Sequence, residues 1–232
     1  MLTFWEKHWS LISSSSLYLI NLFAIMKSYP LIRRFPKRKY IKAIVVFFII
    51  TIAQSLVTTL EKYIIDPENK LIGRFSPSFI FGFIYMYIEY YIYSYLLSKF
   101  IKSKLIKKIL RLSLIFMFAL GVFLWFTNLN MIKVISIFSA TESVLLLLPS
   151  FYYFYEILYG PPVLQLNEEP SFWIVTGIIF LFICLFPVYL GLGILNRIDS
   201  IQTIDYIGYI LIILLFLKGI SCKASQAELG FS

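Results

Sequence analysis

Histidine is almost missing from this 232-residue chain: there is one, His8. Cysteine is nearly as scarce, with only Cys184 and Cys222. Each shortage excludes a chemistry. No HExxH pair and no cysteine-histidine set has metal-ligand spacing, which argues against a metal hydrolase. No serine has a convincing histidine or lysine base, and no glycine-rich phosphate loop is present. An enzyme is therefore not expected, nor is a resident cofactor or metal. The two cysteines lie inside or beside apolar runs and do not form a disulfide framework.

Charge is thin as well. Asp, Glu, Lys and Arg make up 14% of the chain, against about a quarter in soluble domains. That figure excludes an ordinary water-soluble domain. The charge that remains is lopsided, 21 basic residues against 12 acidic, for a formal net of +9. A nucleic-acid partner does not follow, because the basic residues cluster beside apolar runs. The positive-inside rule and anionic lipid headgroups account for them there.

What fills the chain is apolar. Hydrophobic residues reach 60% and aromatics 19%. Several apolar runs approach the ~20 residues that cross a bilayer as a helix. The expected fold is all-α, a single transmembrane domain with the lipid bilayer as its main partner. Its seven-helix bundle has spans at 9–26, 41–60, 77–100, 109–127, 134–159, 171–195 and 204–220. Trp5 and Trp9 stand where interfacial anchors belong, and Ser13 to Ser16 make span 1 the least apolar. No signal peptide is expected: the N-terminus lacks a basic n-region and an A-x-A site. Pro30 and Pro36 are expected to break helix around the first basic cluster. Pro187 is expected to kink span 6, and Lys218 to reach back to the headgroups at the end of span 7.

Orientation follows from the basic residues. With the ends of spans 1, 3, 5 and 7 on one side, that side carries 15 of the 21 Lys and Arg. The segments after spans 1 and 3 alone carry 13. The rule places those ends in the cytoplasm and the N-terminus outside, across a cytoplasmic (inner) membrane.

Two carboxylates fall well inside spans, Glu89 and Glu142. A charge at mid-bilayer costs about 3 kcal/mol or more unless it is paired, hydrated or neutralised. No basic residue lies at comparable depth. Six tyrosines surround Glu89 in sequence: Tyr85, Tyr87, Tyr90, Tyr91, Tyr93 and Tyr95. Helical spacing puts Gly82, Tyr85, Met86, Tyr93 and Leu96 on the side of Glu89. It puts Ser139, Leu146, Pro149, Tyr152 and Tyr153 on the side of Glu142. The candidate ligand or proton pocket is therefore Glu89, Glu142, Tyr85, Tyr93 and Tyr152, with Gln54 as the buried amide of span 2. Three readings stay open. The glutamates hold helices together, they line a ligand- or signal-sensing pocket, or they carry protons or ions.

Three stretches carry a resemblance: YIEYYIYSYLLSKFIKSKLIKKIL, ATESVLLLLPSFYYFYEIL and EEPSFWIVTGIIFLF. Together they resemble small seven-helix membrane proteins of Bacteroidota-type bacteria, similar to the membrane sensory regions of some histidine kinases. The resemblance implies a sensor-like or accessory protein of the cytoplasmic membrane, signalling through a separate membrane or cytoplasmic partner. Two departures stand out. No output domain is expected after span 7, and Gln54 stands where the pattern often carries an acidic residue.

Overall fold

In a computed structural model, the described residues are 4–36, 38–61, 76–127, 129–160, 166–195 and 201–222, with side chains described outside 4–15, 192–195 and 201–205. Among them the chain is all-α. Seven long helices follow in order: α1 (Phe4–Arg34), α2 (Lys39–Leu60), α3 (Pro77–Phe100), α4 (Lys104–Phe126), α5 (Met131–Tyr159), α6 (Pro170–Leu195) and α7 (Ile201–Ser221). A single 3-10 turn, Leu166–Glu168, precedes α6. The anchoring role of Trp5 and Trp9, the hydroxyls of Ser13 to Ser15 and the turn around residues 62–75 lie outside what is described.

Four helices are long and apolar enough to cross a membrane: α2, α4, α5 and residues Pro170–Gly191 of α6. This is the composition of a membrane protein. Helix α3 has the length but not the hydropathy, because tyrosines and Glu89 replace aliphatic residues along it. The apolar part of α7, Tyr206–Ser221, is shorter. Large apolar side chains stand exposed on the outer faces, among them Leu112, Ile115, Phe118 and Phe123 on α4. Contiguous apolar surface of this kind suits lipid better than water.

The helix boundaries follow local chemistry. Helix α4 begins five residues before the position expected from hydropathy. Ser103 caps it by accepting from the Ile106 amide at 3.4 Å, as an N-cap hydroxyl does. Lys104, Lys107 and Lys108 therefore ride on the first turns of α4, and the connection shrinks to residues 101–103. Asn130 caps α5 in the same way, accepting from the Lys133 amide at 2.8 Å. One expectation fails at Pro30, where α1 continues to Arg34. A proline deletes only its own bond to the carbonyl four residues earlier, so the turns on either side can persist. Pro36 does lie in the break before α2. Helices α5 and α6 run through Pro149 and Pro187.

The chain divides into two compact units, with the boundary inside α3 after Tyr85. In the first unit α1 packs on α2, and the Tyr18 and Thr59 hydroxyls meet at 3.2 Å. The buried carboxylate of Glu61, at the end of α2, accepts from the Ser78 amide at the start of α3. An acidic group at a helix N-terminus is favourable there because the first amides have no intrahelical partner.

In the second unit α5 packs on α4 and α6, and α6 packs on α7. Small residues set the α6–α7 approach. A Cβ on Gly219 would lie 2.8 Å from Ile174 Cγ1 and 3.0 Å from the Pro170 carbonyl oxygen. A Cβ on Gly177 would lie 3.2 Å from Leu215 Cβ. Only glycine allows backbones this close. The later half of α3 joins this unit through Tyr90, which donates to Ser113 of α4. Tyr93 adds edge contacts with Phe182 of α6 and Phe216 of α7, at 5.5 and 6.3 Å between ring centroids.

Candidate functional site

The site grows from the turn of α3 that carries Glu89. Residues four apart share a helix face, so of the six neighbouring tyrosines Tyr93 is placed one turn on, above Glu89. Its hydroxyl donates to Glu89 Oε1 at 2.8 Å. Tyr87, Tyr90, Tyr91 and Tyr95 leave in different directions, as a rotation of about 100° per residue requires. Tyr90 turns to Ser113, Tyr87 to the Leu114 carbonyl at 3.5 Å, and Tyr91 is exposed. Tyr95 lies beneath the Lys99 ammonium, 5.3 Å from its ring centroid. Tyr85 falls in the first unit, where its hydroxyl meets that of Thr51 at 3.3 Å.

The second tyrosine on Glu89 comes from α7. The Tyr209 hydroxyl reaches both carboxyl oxygens, at 3.0 Å to Oε1 and 3.1 Å to Oε2. Two hydroxyl donors from two helices thus hold one carboxyl group that is only 5% exposed. Sequence reasoning overlooked Tyr209. The signal was present, since it is a tyrosine in mid-helix next to Gly208. The 17 tyrosines of the chain made that signal unremarkable.

Glu142 of α5 is 3% exposed and faces the same small cavity as Glu89. Its Oε1 is buried and has no hydrogen-bond partner. Around the two carboxyl groups stand Ser139 of α5, Tyr189 of α6 and Tyr209. Met86, Phe182 and Leu185 complete the wall with apolar surface. The Ser139 hydroxyl is directed to Met86 Sδ at 3.6 Å. The space open to the centre of a water molecule is about 20 Å³, where one water needs roughly 10–15 Å³. The cavity is thus the size of a water molecule or a bare ion.

Of the residues expected to meet, the structure brings Glu89, Tyr93 and Glu142 into one region. Gln54 and Tyr85 belong to the first unit. Gln54 Nε2 fills the space beside Gly82, 3.0 Å from where a Cβ would stand, and its Oε1 is buried without a partner. Tyr152 packs against Tyr155 at 5.8 Å between centroids and is not among the side chains lining the cavity. Among the described residues no cluster of three or more His, Cys, Asp or Glu could hold a metal.

A second polar contact joins helices at the end of α3. The Glu156 carboxylate of α5 accepts from the Lys102 amide at 2.8 Å and the Ser103 amide at 2.9 Å. It closes the 101–103 connection onto α5, beside the basic residues of α4. Near the end of α7, Lys218 Nζ lies 5.8 Å from the Trp173 ring centroid. The Trp173 ring N–H donates to the Asn167 carbonyl at 2.8 Å.

Comparison with protein-family models, with curated proteins and with solved structures finds no match for this chain.

Proposed function

We propose that this chain is a multi-pass protein of the cytoplasmic membrane, acting as a sensor-like or accessory signalling component rather than as an enzyme. In this reading all seven helices cross the bilayer, the N-terminus is outside and the C-terminus cytoplasmic. The observation that carries the signalling role is the cavity shared by Glu89 and Glu142. Side chains from α3, α5, α6 and α7 converge on it. A change of charge or occupancy there alters the packing of four helices at once. A separate partner would read that change at the basic segments of residues 27–42 and 99–111. The resemblance to the sensory membrane regions of histidine kinases supports the same role.

The test has two parts. A reporter active only in the cytoplasm, fused after Ser232, is expected to be active, and silence there refutes the orientation. Glu89→Gln and Glu142→Gln are expected to change partner capture or stability. If both leave every measured interaction and the stability unchanged, the sensing site fails.

A second reading is movement of protons or a small solute past Glu89. It is favoured by the unpartnered Glu142 Oε1 beside a water-sized space. A pH-dependent flux in proteoliposomes that Glu89→Gln abolishes would select it over the first.

A further inference from the structure

We propose that the cavity between Glu89 and Glu142 is a binding site for one monovalent alkali cation. The proposal rests on the sensing role given above and names what that site takes.

Charge comes first. Two carboxyl groups face one cavity, each at least nine-tenths buried. No Lys or Arg is among the lining side chains. Like charges sharing a low-dielectric site disfavour each other's ionisation. When both are ionised, the compensating positive charge has to arrive from outside the chain, because no basic side chain lines the cavity.

Donor chemistry comes second. The polar groups at the cavity are carboxylate and hydroxyl oxygens, from Glu89, Glu142, Ser139, Tyr189 and Tyr209. No imidazole or thiolate joins them. Such an all-oxygen set suits hard cations and not the softer transition metals.

The unpaired acceptor comes third. Tyrosine hydroxyls cover both oxygens of Glu89. Glu142 Oε1 is fully buried and has no protein partner. A buried acceptor left unmade is costly, and a cation in the adjoining space satisfies it.

Size and valence come last. The space admits about one water-sized body. Magnesium usually keeps several waters, and calcium takes six to eight oxygens. Neither requirement fits here. An alkali ion carries a single charge and gives up its waters at lower cost, and hydroxyl oxygens that already donate to Glu89 still have lone pairs to offer it.

The experiment uses the full chain in mild detergent. Its unfolding midpoint is followed in sodium, potassium and choline chloride at equal ionic strength and fixed pH. The expected result is a saturable rise of the midpoint with sodium or potassium over choline, lost in Glu142→Gln and retained in Glu142→Asp. Equal midpoints in all three salts overturn the proposal. If Glu142→Gln does not fold, the infrared carboxyl region of the unaltered protein decides. A protonated-carboxyl band that weakens when choline is replaced by an alkali ion supports the site. A band unchanged by that replacement means that a proton balances the charge and overturns it. Salt indifference alongside Glu→Gln variants that still alter partner capture removes only the cation. Silence in both removes the sensing site as well.

Discussion

Replacing Tyr209 with phenylalanine removes one hydroxyl and little else. That hydroxyl donates to both oxygens of Glu89, at 3.0 and 3.1 Å. Tyr93 remains, at 2.8 Å from Oε1. A net hydrogen bond is worth about 0.5–1.5 kcal/mol between neutral groups and about 1.5–3 kcal/mol to a charged one. Within membrane proteins measured values average about 0.6 and reach about 1.7 kcal/mol. Because this donor serves two acceptors in a buried site, we expect a loss of about 1–1.5 kcal/mol, roughly a ten-fold change in the unfolding equilibrium. The assay is reversible unfolding in mixed detergent, read by far-ultraviolet circular dichroism. The decisive comparison repeats Tyr209→Phe in a Glu89→Leu background. There Tyr209 has already lost both Glu89 oxygens as acceptors, so the cost should fall by the share that those bonds supply. An equal cost in the two backgrounds refutes the hydrogen bond as the source of the effect.

Three further outcomes are expected. Glu156→Ala strips two backbone amides of their acceptor, at 2.8 and 2.9 Å. It should cost about 2 kcal/mol locally and speed tryptic cleavage at Lys102 and Lys104; unchanged cleavage refutes the clamp. Gly219→Ala forces a Cβ to 2.8 Å from Ile174 Cγ1 and should cost about 1–3 kcal/mol. Gly191→Ala, where an added Cβ would meet nothing within 4 Å beyond its own turns of helix, should be neutral or slightly stabilising, and the same loss at both positions would contradict the close α6–α7 approach. Tyr153→Phe loses the 2.8 Å bond to Ser171 of α6 and should cost about 1 kcal/mol, measured by the same unfolding assay.

Much of the helical framework was legible in the sequence. The run from Pro77 to Phe100 is one helix with the expected ends, because Ser76 and Pro77 make a clear start. Hydropathy starts the fourth span at residue 109, inside α4, which begins at Lys104. It counts lysines against a span, whereas Ser103 fixes the first turn by hydrogen bonding whatever the charges that follow. At Pro30 a rule about local breaking gave way to the helix on either side.

The candidate site was legible only in part. Glu89 and Glu142 stood out because carboxylates are rare in apolar runs, and the four-residue spacing of Tyr93 identified a real partner. Gln54, Tyr85 and Tyr152 were grouped with them by polarity and face. Polarity alone does not say which tertiary neighbour a side chain meets: Tyr152 packs against Tyr155 and does not line the cavity. Tyr209 lies 120 residues from Glu89, and only the packing of α7 brings it there.

The claim that Glu89 and Glu142 form one charged centre is tested most directly by a double-substitution cycle. Glu89→Gln, Glu142→Gln and the pair together are compared by unfolding free energy in choline chloride. Independent distant sites add within about 0.3–0.5 kcal/mol, while interacting ones deviate by about 0.5–3 kcal/mol. Mutual repulsion makes either single substitution relieve what the other would relieve. The second should therefore gain at least about 1 kcal/mol less stability than the first. Strict additivity would show that the two carboxyl groups do not sense each other, and would contradict the account.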